Sequence, residues 1–257
     1  PGANAVAEDG AAAIRAANAT PGQIATLILP ANTAWSPAGH GSDDDDDAPA
    51  VAPPAEVSEE AVIAAAAMLS NEDEPATLLL GGRALRTRCL ELAGRISTKT
   101  GCGVLTEWAN TRLERGAGRV QVNRIPYPVD KALPVLREAG NLVLVGAREP
   151  VAFFAYPDKP SRLMAEGTHS VELANTGDDI EAALEALAAA LDALHTPPAN
   201  VAEARRPDLP DGPNNAATIA AVLGAKIPEG AIIVDESVST GRDFFGETAG
   251  APPHDWL

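Results

Sequence analysis

Between residues 57 and 195, short unbroken apolar runs alternate with longer stretches in which apolar residues recur every three or four positions. Ala76-Thr77-Leu78-Leu79-Leu80, Gly103-Val104-Leu105-Thr106, Leu142-Val143-Leu144-Val145-Gly146 and His169-Ser170-Val171-Glu172-Leu173 read as strands. Runs this short, set between breakers and apolar nearly throughout, suit strands buried on both faces. Helical spacing falls between them. Residues 58–69 open on Ser58 as a cap, and residues 85–98 and 129–138 follow. Residues 178–194 carry Ile180, Leu184, Leu187, Leu191 and Leu194 on one stripe. Residues 107–128, rich in Arg, Gly and Pro, read as a long loop. The alternation predicts a doubly wound α/β domain with a parallel sheet and a Rossmann-like centre.

The flanks carry less. Residues 8–18 are helix-like, and the run 24–29, ended by Pro30, predicts a buried strand. From Ser36 to about Pro54 the chain turns to Gly, Ser, Asp, Ala and Pro. Repelling aspartates and stiff prolines there predict a solvated tether. Residues 196–213 hold five prolines and read as a second linker. A helix over 214–226, capped by Asn214 or Asn215, then leads into a strand over 231–235. The expected division is therefore 1–36, the linker 37–56, a central domain 57–195, the linker 196–213, and 214–257.

Composition narrows the chemistry. The chain has 257 residues, 46% of them hydrophobic but only 4% aromatic, so its core must be built from small aliphatic side chains. Nineteen basic residues against 36 acidic ones give a net charge of -17, which repels a nucleic-acid backbone. Five of the acids sit together at 43–47. No apolar stretch reaches the roughly 18 residues of a membrane span. Cys89 and Cys102 form neither a disulfide framework nor a zinc pattern and suit a reducing interior, so a cytoplasmic location is expected.

Few side chains are placed for chemistry. Glu236, Ser237, Val238, Ser239 and Thr240 follow the last predicted strand, where α/β enzymes place ligands. With Gly241 they could cradle an anion. An ordinary capped loop entering a helix is the other reading. The glycines at 81, 82 and 146 also follow strands, but they do not form GxGxxG, and no acidic residue completes a dinucleotide fingerprint. They read as tight turns, with close approach to an adenine cofactor as the alternative. Arg83, Arg112, Arg115, Arg119 and Arg124 lie in or near loops, and some are expected to pair with acids at an interface, with substrate binding as the other reading. Of the four histidines, His40 lies in the first linker, His169 begins a strand and His195 closes a helix. His254, beside Asp255 and Trp256, is the candidate catalytic histidine, with a mobile surface residue as its alternative. No metal-ligating pattern is present, and no motif supports a metalloprotease or serine hydrolase.

The order of these pieces resembles the thiamine diphosphate-dependent 2-oxo acid decarboxylase and acetolactate synthase family. Pro21-Gly22-Gln23 through Trp35 looks like the end of that family's pyrimidine-binding domain. Leu78-Leu79-Leu80-Gly81-Gly82-Arg83-Ala84-Leu85 onward is similar to its central domain. Val234-Asp235-Glu236-Ser237-Val238-Ser239-Thr240-Gly241-Arg242 looks like the opening of its diphosphate-binding domain. The resemblance implies an internal segment of a larger enzyme, with partial cofactor-binding domains on either side of a Rossmann-like centre. It implies thiamine diphosphate and Mg2+ as cofactors, a pyruvate-like 2-oxo acid as substrate, and a homodimer or homotetramer. Residues 236–240 would hold the diphosphate, and His254 and Trp256 would lie toward the active site. The family's catalytic glutamate is expected upstream of Pro1 and its magnesium motif beyond Leu257, so this chain alone is expected to be inactive. FAD, used by some members, is disfavoured by the absence of an adenine fingerprint. A benzoylformate-type decarboxylase and a non-catalytic nucleotide-binding or assembly relative are the alternatives.

Overall fold

The computed structural model describes residues 2–39, 51–237, 239–241 and 243–257. His40, the acidic run 43–47, Val238 and Arg242 lie outside the described residues. The chain divides into two units, Pro1–Ala55 and Glu56–Leu257.

In the first unit, α1 (Val6–Asn18) begins with Glu8 and Asp9 in its first turn and ends with Arg15 in its last, charges that complement the helix dipole. A short α2 (Ala31–Trp35) follows. The run 24–29 is not a strand. It forms no ladder among the described residues, and Ile24 and Ile28 are 97% and 83% exposed. A buried parallel strand needs a hydrogen-bonding neighbour, and the described part of this unit contains no strand to supply one.

In the second unit, α3 (Glu59–Leu69) starts where Ser58 Oγ accepts a hydrogen bond from Ala61 N at 3.2 Å. Then come β1 (Ala76–Leu80), α4 (Thr87–Thr100) and β2 (Gly103–Thr106). Gly101, at φ +76°, ends α4 in the left-handed conformation. The expected loop 107–128 contains two short strands, β3 (Leu113–Arg115) and β4 (Asn123–Arg124). Next are α5 (Val129–Ala139), β5 (Asn141–Val145), β6 (Ser170–Ala174) and α6 (Ile180–Ala190). Asp179 caps α6 through Ala182 N at 3.0 Å, and the helix stops four residues short of Leu194.

Five of these strands make one parallel sheet, ordered β4-β2-β1-β5-β6. The strand residues alternate between two cores. Leu78, Leu80, Val143 and Val145 join the layer of α3, α4 and α6, while Leu79, Leu142 and Leu144 join that of α5. Burial on both faces is the physical reason the two central strands are apolar over Leu78–Leu80 and Leu142–Val145. Each fully buried leucine contributes about 2 kcal/mol.

The final segment builds α7 (Ala216–Lys226), β7 (Ile232–Ile233), α8 (Phe244–Glu247) and β8 (His254–Trp256). Asn215 and Thr218 form a reciprocal capping box at the start of α7. A second sheet, β3-β8-β7, pairs β8 antiparallel to β3 and parallel to β7. The stretch 196–213 contains no helix or strand. It is strapped to the unit by backbone bonds from Ala199 N to Gly94 O (3.0 Å) and from Ala202 N to Arg119 O (2.8 Å).

Candidate functional site

Both sheets border an open groove of about 1570 Å³. Arg124 on β4 and Asn110 after β2 contribute to its wall, and so do Asp235 and Ser237 after β7, Phe245 on α8 and Trp256 on β8. Thr106 and Arg124 are partners in the β2–β4 ladder. Thr106 Oγ1 shares its proton between Leu80 O at 2.8 Å and Asn110 Oδ1 at 2.7 Å, which anchors Asn110 beside the arginine.

Two guanidinium groups stack on Phe245, Arg115 at 3.7 Å and Arg124 at 3.9 Å from its ring centroid. Arg115 is buried and donates to Thr248 Oγ1 (2.8 Å) and to Phe245 O (2.5 Å). Burial lowers its pKa, and Arg124 adds repulsion in the same direction. Burial also lowers the pKa of Arg124, against the opposing attraction of Asp235. Among the described residues, Nε and Nη2 of Arg124, Nδ2 of Asn110, Nε1 of Trp256 and Nε2 of His254 are buried without a hydrogen-bond partner. The first four are donors on residues lining the groove, and the fifth, on a residue that does not line it, is an acceptor.

The loop after β7 closes on itself. Ser237 donates to Asp235 Oδ1 through its backbone N–H at 3.0 Å and again through its hydroxyl. A Cβ at Gly241 would stand 1.6 Å from Ser237 Oγ, so only glycine lets this turn close. Glu236 and Ser237 line the groove, whereas Ser239 and Thr240 are exposed and do not.

His254 is 1% exposed on β8 and does not line the groove, so it is not a mobile surface residue. Its Nδ1–H donates to Pro252 O at 2.7 Å. Its pKa is lowered chiefly by burial, the result expected of a neutral imidazole held in a strand. His169 and His195 are exposed.

The loop arginines divide between acids and aromatic rings. Arg112 does pair, with Asp255 at 2.7 Å. Arg115 and Arg124 instead face aromatic rings and form no ion pair among the described residues. The sequence shows these two as loop charges, and the signal that would have marked them is distant: Phe245 and Trp256 lie more than a hundred residues away.

After the C-terminal ends of β1 and β5, the glycines serve close packing. A Cβ on Gly81 would meet Gly146 O at 2.5 Å and Glu107 Oε2 at 2.7 Å. Glu107 follows β2 directly and accepts from Arg148 N at 3.3 Å. Burial raises its pKa. The sequence signal for this carboxyl is slight, an acidic residue immediately after a strand. Among the described residues, no three His, Cys, Asp or Glu side chains cluster to hold a metal, and no helix is long and apolar enough to cross a membrane.

No family model matches the chain. IlvX of Mycobacterium tuberculosis, named as a candidate acetolactate synthase large subunit, is 44% identical over 253 residues, which is 98% of this chain and 47% of that protein. Two solved structures share the fold. The thiamine diphosphate-dependent 4-hydroxybenzoylformate decarboxylase of Rhodococcus jostii RHA1 matches 99% of this chain and 51% of its own, with a TM-score of 0.65 at 16% identity. A candidate thiamin diphosphate-dependent enzyme of Mycobacterium smegmatis matches 100% of this chain and 52% of its own, with a TM-score of 0.66 at 20% identity. The chain thus spans about half the length of each relative.

Proposed function

Because the chain belongs, over the length it spans, to the thiamine diphosphate-dependent 2-oxo acid decarboxylase and acetolactate synthase-like family, we propose that it is part of an enzyme that decarboxylates a small 2-oxo acid. The observation that carries this reading is the position of the loop over 235–241. It follows β7 directly and opens onto the groove through Glu236 and Ser237, as a loop that helps hold a diphosphate should.

The residues present fit such a group in part. The groove is lined by residues with unpartnered donors, and the glycine-dependent turn brings backbone close to it. Glu236 and Ser237, which line the groove, and with them Val238, Ser239 and Thr240 of the same loop, are the residues we assign to the diphosphate, with Mg2+ as its counter-ion. Thiamine diphosphate, when bound, supplies the carbanion and the electron sink that loss of CO2 requires. The chain's own part is to bind and orient: Phe245 and Trp256 exclude water from one side of the groove, and Arg124 sets its local charge. His254, neutral and buried behind this wall, is in our reading a residue that positions β8.

The finer proposals follow from the acetolactate synthase-type relative. These are a pyruvate-like substrate, ligation of the two-carbon unit to a second carbonyl compound, and assembly as a homodimer or homotetramer. A benzoylformate-type decarboxylase without ligation is the second reading, favoured by the fold shared with the Rhodococcus enzyme. The carboxyl of Glu107 against Gly81 argues for leaving FAD out of either.

The test is CO2 release from pyruvate and from benzoylformate by the product of the complete open reading frame, with thiamine diphosphate and Mg2+ added. Release from pyruvate with formation of a hydroxy-keto acid supports the first reading, and release from benzoylformate alone supports the second. If neither substrate releases CO2 and thiamine diphosphate leaves the melting temperature unchanged, the chain is a non-catalytic relative.

A further inference from the structure

We propose that Arg124, Asn110 and Trp256 form an oxyanion-binding subsite in the groove, taking a carboxylate or phosphate group. Four buried N–H donors from these three side chains have no acceptor among the described residues. Buried donors are nearly always satisfied in folded proteins, so a group of them along one cavity marks the place of a missing acceptor. The donors are of one kind: two from a guanidinium, one from an amide, one from an indole. The fitting ligand group is therefore one that only accepts and can accept several times, which describes an oxyanion.

The placement is built into the fold. Arg124 is held in register with Thr106, and Thr106 holds Asn110. Phe245 lies under the guanidinium of Arg124 at 3.9 Å and packs edge-on against Trp256 at 5.6 Å between centroids. Trp256 is 2% exposed and is one of the residues lining the groove. Asp235 offsets part of the charge of Arg124, and Arg115 on the same ring restores positive potential from behind.

The subsite rests on the decarboxylase reading only for its two candidate sources, a 2-oxo acid carboxylate or a cofactor phosphate. Its test needs no turnover, so the two can fail separately. The chain has three tryptophans, and a 15N-labelled sample gives one indole signal for each. The signal that Trp256→Phe removes is that of Trp256. Sodium pyruvate and sodium pyrophosphate are titrated in separate series, with sodium chloride at matched ionic strength as reference.

A saturable shift of the Trp256 signal with either anion, absent in chloride, is the expected result. Pyruvate alone assigns a carboxylate site, pyrophosphate alone a phosphate site, and both together a general oxyanion site. Arg124→Lys keeps the charge but loses the planar fork, and it should weaken the response at least about tenfold. Asn110→Ala serves as the second variant should Arg124→Lys shift the unliganded spectrum. The proposal is overturned if the Trp256 signal stays still with both anions, if chloride moves it equally, or if both folded variants respond like the parent chain.

Discussion

Arg115 holds its guanidinium 3.7 Å from the ring centroid of Phe245, a residue 130 positions later in the chain. The contact joins the short strand after β2 to the helix after β7, and Arg115 also donates to Phe245 O. Two distant parts of the sequence thus share one wall of the groove. Replacing Phe245 by Ala removes the ring from under two guanidinium groups and is expected to cost about 2 kcal/mol. Urea unfolding of Phe245→Ala against Phe245→Leu measures it, and the leucine variant should lose less than the alanine one. Equal losses would mean that the aromatic face, and not the side-chain volume, carries the contact.

Gly146 and Gly101 both have positive φ, +62° and +76°, but their surroundings differ. A Cβ on Gly146 would meet Gly81 O at 2.7 Å, while one on Gly101 meets nothing within 4 Å. Gly101→Ala should therefore cost about 1 kcal/mol, the penalty of the left-handed backbone alone. Gly146→Ala adds a backbone clash and should cost about 3 kcal/mol. Thermal melts of the two variants side by side would show the gap.

Glu107 gives a pH dependence of defined sign. Its folded pKa lies above the ordinary value of 4.5, principally because burial penalises the charge. The folded state therefore binds more protons than the unfolded one between those two values, and stability falls as pH rises through that window. Glu107→Gln removes the titration while keeping an acceptor for Arg148 N. Its unfolding free energy should be flatter with pH in that window and higher than the parent's at neutral pH. A steeper profile, or a loss of stability at neutral pH, would contradict this.

Cys89 and Cys102 are 3% and 7% exposed. Burial raises both thiols, Cys89 to about 12. Neither should react with a disulfide reagent at about pH 8 while the chain is folded, with rates roughly a hundredfold or more below those of the unfolded chain. Both should react once denaturant is added. Rapid labelling of either in native buffer would show that its layer of the core opens.

The strands β1, β2 and β5 were legible in the sequence nearly to the residue because each is a short run dominated by apolar side chains and set between breakers. Ser58 and Asn215 were legible as caps because capping is local. β3, β4 and β8 were not. Each is two or three residues long, and its partner lies far along the chain, so no periodicity could announce it. The error over 24–29 has the same origin from the other side: an apolar run marks a strand only where another strand lies beside it. The site divides likewise. The loop over 236–240 could be read from its place after a strand, but Arg124 and Asn110 acquire meaning only when Phe245 and Trp256 arrive beside them.

The second sheet bears on how the protein is made. β8 is its middle strand, and it belongs to the last few residues described here. During synthesis, β3 leaves the ribosome more than a hundred residues before the strand that will cover its edge. Through that interval Leu113–Arg115 offers unpaired backbone to any extended chain nearby. The groove wall is completed only when Trp256 emerges, so the nascent protein passes through a stage in which its central sheet is closed and its site does not yet exist.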